Sequence, residues 1–421
     1  MRGPVIVISI VVAALASGLW IARDAIRAWL FDVTGEDQLL GQVRGLIDLA
    51  TQFTRPAPNT APDTPVAFAD VSIFGVNTFL HQEVEPAKRE RQMQMVAAAG
   101  FKWMRQPFPW YDIEIQRKGD FRDCRHAGAD APCIDAWAKY DGIVDLAQRY
   151  GVQLVARIDA PPEWARGAPG DFAPPANLDD LGDFAAAVAE RYRGRLRFYQ
   201  VWNEPNNYPE WGEQPVDPEA FTRLLCLAYR RIKQADPEAA VLAPALTPTI
   251  SLDAGPGPGA GLNDFIYLQR MYNVGARDCF DIMSAQGYGL FSGPTDRRLR
   301  PRIVNFGRPQ YIRDIMVANG DVNKPIWISE MNWNAVPNEV ADKRFGQVTL
   351  EQQARYLPAA YDRIRREWPW AGVAFTWYLK DATDQEKDQA KYYFRLLDPD
   401  FTPLPVYDGM KSYTSSDFGG E

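Results

Sequence analysis

Eight short apolar runs alternate with amphipathic stretches through most of this chain, and that alternation limits the fold more than any other feature. The runs cover residues 71–77, 102–106, 153–159, 197–203, 240–243, 281–286, 326–330 and 372–377. They are too short for ordinary helices, and most are rich in the β-branched and aromatic residues of buried strands. Between them lie residues 85–99, 138–150, 179–192, 218–235, 264–272, 309–318 and 350–367, where apolar residues fall at helical spacing. In the second of these, Ile143, Leu146, Ala147 and Tyr150 stand at i, i+3, i+4 and i+7. Pro86 and Pro218 sit where a first helical turn tolerates proline, and Pro358 should kink the last helix. Repeated strand–helix units give parallel strands, and eight of them predict a closed (β/α)8 TIM barrel of the α/β class. An open doubly wound sheet is the alternative. No glycine-rich phosphate loop follows the first strand, which counts against it.

The chain has 421 residues, more than the ~250 of a typical barrel. Part of the surplus lies at the N terminus. Arg2 is followed by an uncharged run over residues 3–22, about the ~20 residues that cross a bilayer. Two readings stay open: an uncleaved signal anchor, or a signal peptide cleaved near Ala14-Leu15-Ala16. The run continues past that site to Ala22, which favours the anchor. Either reading exports the rest. Residues 23–66 are expected as an amphipathic helical stalk followed by a Pro-rich linker (TRPAPNTAPDTP), with the barrel domain occupying residues 67–421. The expected place is a cell membrane, single-pass, with the barrel domain outside, or secretion if the signal is cleaved.

Composition excludes several function classes. A net charge of −8 with no sustained basic run argues against nucleic-acid binding. Two histidines, His81 and His126, and no His/Cys cluster leave neither a zinc site nor a Ser-His-Asp triad to build. No metal and no cofactor are expected, and a monomer is. Four cysteines in an exported chain suggest disulfides. Cys124 and Cys133 lie close together in one polar loop and should pair, whereas Cys226 falls in a helical pattern and reads as a buried thiol.

A barrel of this kind carries its catalytic groups at the C-terminal ends of its strands. The fourth strand runs through Phe198-Tyr199-Gln200-Val201-Trp202 into Asn203-Glu204-Pro205-Asn206, and the seventh through Ile326-Trp327-Ile328-Ser329 into Glu330. Both end on a glutamate after an apolar stretch. Glycoside hydrolysis needs two carboxyl groups flanking one bond, one to protonate the leaving oxygen and one to attack the anomeric carbon or activate water. A lone strand-end glutamate is usually a solvated surface group. Two of them at one barrel mouth, both with aromatic neighbours, point to catalysis.

The motif Trp202-Asn203-Glu204-Pro205-Asn206 resembles the fourth-strand motif of the clan A retaining glycoside hydrolases, most of all family 39. That resemblance covers the whole barrel. It implies a (β/α)8 O-glycosyl hydrolase acting on a carbohydrate, with Glu204 as acid/base, Glu330 as nucleophile and Asn203 bonded to the sugar 2-hydroxyl. It further implies that Arg105 and Tyr288 support the nucleophile and that Trp377 lies under the reacting sugar. One position departs from the clan's pattern. Where a His-x-Tyr is common at strand six, this chain has Gln286-Gly287-Tyr288, and glutamine donates a hydrogen bond but cannot titrate. Trp110, Trp164 and Trp333 are candidate subsite walls, with Asp159 undecided between site and cap, and Asp112 and Glu114 read as loop caps or solvated charges. Two alternatives use the same barrel: a glycan-binding pseudoenzyme, hinted at by Gln286, and a transglycosylase.

Overall fold

The structure, a computed structural model, describes residues 23–128 and 131–417. Eight parallel strands are hydrogen-bonded side by side: β1 (Phe74–Asn77), β2 (Trp103–Pro109), β3 (Gln153–Asp159), β4 (Phe198–Val201), β5 (Ala240–Leu242), β6 (Met283–Gln286), β7 (Ile326–Met331) and β8 (Ala371–Thr376). β8 pairs with β1, and a parallel bridge between Leu242 and Ile282 joins β5 to β6, so the sheet closes into the expected barrel. Helices α3 (Pro86–Ala98), α4 (Ala138–Arg149), α5 (Leu178–Arg191), α6 (Pro218–Ala235), α7 (Asp264–Asn273), α8 (Pro309–Ala318) and α9 (Leu350–Glu367) follow the first seven strands. Their starts are written locally. Asn177 and Asp217 cap α5 and α6 with their side chains, and Thr349 with Gln352 forms a capping box on α9. An eighth helix, α10 (Pro405–Asp417), not among the expected elements, completes the ring against α9. Its signal was present in Val406, Met410 and Thr414, buried at four-residue intervals.

The barrel is filled in two layers. At the N-terminal end of the strands Trp103, Phe198 and Trp327 meet with ring centroids 5.0–5.1 Å apart, packed round with Val155, Ile282 and Phe375. Alternate residues of a strand face the same way, so one step of two along β2 and β4 replaces Trp103 by Arg105 and Phe198 by Gln200. The aromatic layer thus forms a dry floor beneath a polar one.

The apolar run at residues 3–22, expected as a signal anchor or signal peptide, lies outside the described residues, among which no helix is long and apolar enough to cross a membrane. The segment read as stalk and linker is helical in part but not detached. Helix α1 spans residues 23–34 and α2 spans Leu39–Gln52, and both lie against the barrel. Glu36, Asp37 and Asp48 pair with Arg298, Arg355 and Arg300, and Phe31 stacks on Tyr356. The Pro-rich stretch is bound too, with Thr60 accepting from Arg313 and Asn59 donating to Asp314. Composition alone described a linker, and long-range hydrogen bonds hold it down.

Cys124 and Cys133 form the expected disulfide. Cys226, expected as a thiol, is bridged to Cys279 across a separation of 53 residues, tying α6 to the turn after α7. A loop of that length removes enough freedom from the unfolded chain to be worth about 4 kcal/mol. Double replacement C226S/C279S should therefore lower stability by about that amount, with a drop in melting temperature, and non-reducing mass spectrometry should find no free thiol at either position. An unchanged melting temperature would show that the bridge is idle.

Candidate active site

Four strands deliver the polar layer to one point. Arg105 on β2 stands level with Asn77 on β1 and Val155 on β3. It is 2% exposed, and a buried guanidinium needs every N–H answered. Its Nε donates to Gln200 (2.6 Å), its Nη1 to Asn77 and Glu330 (2.8 Å each), and its Nη2 to Asn203 Oδ1 (2.8 Å). One side chain so ties the ends of β1, β4 and β7 together. Tyr288, just beyond β6, donates its hydroxyl to the other Glu330 oxygen at 2.8 Å. Burial and the Glu330 carboxylate hold the Tyr288 hydroxyl well above its usual range, so it stays a donor. Glu330 therefore receives one cationic and one neutral donor, the surroundings that suit an anion.

Glu330 reaches this position by a local irregularity. Trp327 faces the barrel interior, so strict alternation would turn Ser329 inward and Glu330 out. Between β6 and β7 the register slips: Ala285 pairs with Ile328 but Gln286 pairs with Glu330. The extra residue in β7 is a bulge that re-aims the glutamate into the mouth. Glu204 is also placed by unusual backbone. Trp202 and Glu204 both have positive φ, 69° and 44°, which lifts the chain out of β4 as it leaves the barrel.

Gln286, beside Glu330 in register, donates to Glu204 Oε1 at 2.8 Å. The residue that departs from the clan's pattern thus contacts the first carboxyl, while Arg105 and Tyr288 contact the second. Burial, then repulsion from Glu330, push the Glu204 acid up to about 7. Of the two carboxyls at this mouth, Glu204 can hold a proton near neutrality, and Glu330 accepts from Arg105 and Tyr288.

The remaining candidates separate. Trp377 follows β8, half-buried, with its ring edge-on to Phe79 at 5.5 Å, and lines a cleft of about 330 Å³ with Tyr378 and Asp381. Trp333 is no subsite wall: it is fully buried, donates to the Ser292 carbonyl and packs on Phe306 and Tyr356. Trp110 is likewise core, stacked on Phe184 and bonded to Glu114, whereas Trp164 is half-buried and edge-on to Trp110. Asp112 and Glu114 are buried rather than solvated. Asp112 takes Arg125, Lys139 and Tyr140, and Glu114 takes Trp110 and the Gly119 amide. Asp159 is buried and paired with Arg157 at 2.6 Å. Sequence reasoning missed Asn77 and Gln200, although Gln200 is the one polar residue on the inward alternation of β4 between Phe198 and Trp202. It also missed Glu210, whose carboxyl is pushed up to about 8 by burial and then by Glu204.

No protein-family model and no curated protein matches the chain. Solved structures do. A family 39 glycoside hydrolase from the gut symbiont Bacteroides cellulosilyticus aligns with a TM-score of 0.59 at 20% identity, over 82% of this chain and 63% of that one. The fold is similar to that of family 39 glycoside hydrolases. A family 39 β-xylosidase from Caulobacter crescentus aligns at 0.54 and 15% identity, over 86% of this chain and 72% of that one. A family 5 enzyme from Streptomyces cattleya, solved with GlcNAc, has a similar fold, aligning at 0.60 and 16% identity over 84% of this chain and 82% of that one. This chain spans less than two thirds of the Bacteroides enzyme. At such identities the family 39 likeness concerns the fold, and function has to be argued from the site.

Proposed function

We propose that the chain is a retaining glycoside hydrolase that cleaves β-glycosidic bonds of an extracellular polysaccharide or oligosaccharide by double displacement. The observation that carries this reading is the unequal setting of the two carboxyls: Arg105 and Tyr288 donate to Glu330, while Glu204, raised to about 7, has the neutral Gln286. Glu204 gives its proton to the leaving glycosidic oxygen as a Glu330 oxygen attacks the anomeric carbon. The C–O bond to the leaving group breaks and an ester to Glu330 forms. Once Glu330 is esterified its charge is gone, and the Glu204 acidity rises to suit its next task. Glu204 then takes a proton from water, which attacks the same carbon and releases Glu330. Two inversions leave the anomeric configuration unchanged.

Asn203 accepts from Arg105 through its Oδ1, so its amide N–H groups remain to donate to a sugar hydroxyl beside Glu330. Trp377 offers a ring to the apolar face of a pyranose. The reaction calls for no cofactor, and the site is complete within one chain, as a monomer requires. The apolar run at residues 3–22 tethers the enzyme to the membrane with the barrel outside, a placement that suits two disulfides.

Screening the full chain against aryl β-glycosides and extracellular polysaccharides, with the anomeric proton followed by NMR in the first minutes, tests the proposal. Retained configuration in the first product is expected. An inverted first product would overturn the mechanism, and glycan binding without any turnover would make the protein a pseudoenzyme.

A further inference from the structure

Helices α1 and α2 carry a surface that the barrel does not use. Among the described residues, seven of the sixteen exposed large apolar side chains fall within residues 26–53. On α1 they are Ile26 and Trp29, about one turn apart. On α2 they are Leu39, Leu40, Val43 and Ile47, which share one face, with Leu40 83% exposed. The other face of α2 is spent on internal contacts. Gln42 donates to the carbonyls of Arg27 and Glu36, and Gly45 lets Thr34 approach so closely that a Cβ would lie 2.8 Å from the threonine Cβ. Glu36, Asp37 and Asp48 are taken up by barrel arginines. The other charges exposed on the two helices are Arg23, paired with Asp24, and Arg27, Arg44 and Asp32. Phe53, 91% exposed, ends the patch at the wall of a groove of about 590 Å³ lined by Val33, Leu46, Leu49 and Leu299.

An apolar face of this size on a water-exposed helix pair marks a binding surface. What precedes it says which one: the uncharged residues 3–22 run directly into α1. Building on the membrane tether proposed above, we infer that α1, α2 and Phe53 lie flat in the interface of that bilayer. Their apolar side chains sit among the outer ends of the acyl chains, Trp29 lies at headgroup depth and the three arginines reach lipid phosphates. Residues 23–53 are then a platform rather than a spacer. The platform is fastened to the long loop that follows β6. The Gly293 amide donates to the Gly35 carbonyl and Thr295 Oγ1 to the Phe31 carbonyl, both at 2.6 Å, and Arg298 pairs with Glu36. The loop bearing these groups starts at Tyr288, the donor to Glu330. The substrate that fits is a glycan presented at the membrane surface.

The test uses the full chain reconstituted in vesicles of phosphatidylcholine with some phosphatidylglycerol. A nitroxide is placed at Ile47→Cys, and at Glu190→Cys on α5 across the barrel as a water-exposed reference. With the chain floating with the vesicles, the label at position 47 should collide several-fold less with a water-soluble nickel chelate, and more with oxygen, than the label at 190. Adding Leu40→Asp and Val43→Asp should restore nickel access at 47 while flotation persists through residues 3–22. Equal nickel access at 47 and 190 in floating protein would overturn the platform and leave the tether standing. Low access with spin–spin broadening between copies would also overturn it, because a second chain would then cover the face. Failure to float would remove tether and platform together.

Discussion

Replacing Glu330 by Gly should lower kcat/KM on an activated aryl β-glycoside by about 10⁵- to 10⁶-fold, the scale seen when a covalent nucleophile is deleted. Of the neighbouring carboxyls, Glu204 is held by Gln286 and Asp159 is committed to Arg157. The variant leaves Arg105 buried without its counter-charge, which costs about 3–5 kcal/mol. Gln200, Asn77 and Asn203 still answer its other N–H groups, so the barrel should fold with a lower melting temperature. The space vacated by the side chain admits a small anion. Added azide should then attack from the face Glu330 occupied and give a glycosyl azide of inverted configuration. Wild-type rates in a folded Glu330→Gly variant would remove this residue from the mechanism.

Replacing Glu204 by Ala should act differently on different substrates. A poor leaving group needs the proton, so its glycosylation step should slow by about 10²- to 10⁴-fold, while an activated one is nearly spared at that step. Deglycosylation also loses its base, so the ester to Glu330 should accumulate, and azide should discharge it as a product of retained configuration. The pH profile carries the same information. Burial and Glu330 raise Glu204 to about 7, and the acid must be protonated in the free enzyme, so kcat/KM of the wild type should fall as pH rises through about 7. That alkaline limb should vanish in Glu204→Ala. Opposite azide stereochemistry in the two variants separates the roles by chemistry rather than by rate. Equal losses on both substrate types, with no azide product, would show the assignment to be wrong.

The barrel could be read in the sequence because strand and helix periods are local: apolar runs at 197–203 and 326–330, and the i, i+3, i+4 pattern of 138–150, each declare an element without reference to any other. That strands four and seven each run into a glutamate could be read for the same reason, and the short Cys124–Cys133 bridge from its close spacing in one loop. Aromatic residues could not be sorted this way. Trp333 and Trp377 look equally able to meet a sugar, and only the packing of Phe306 and Tyr356 around Trp333 makes one of them core. Cys226 needed Cys279 brought to it across 53 residues, and residues 23–66 needed Arg298, Arg300 and Arg355 to become part of the barrel's surface.

The sharpest division falls at Glu330. By itself the sequence determined that a glutamate ends the seventh strand, but its alternation from Trp327 would have turned that side chain away from the cleft. Pairing with β6 decided otherwise, through the bulge that puts Gln286 opposite Glu330, and Arg105 then draws the carboxylate in. Side-chain identity and period belong to the chain alone. Register and the direction in which a side chain points belong to hydrogen bonds and charges supplied by strands far away in sequence, and these exist only once the barrel has closed.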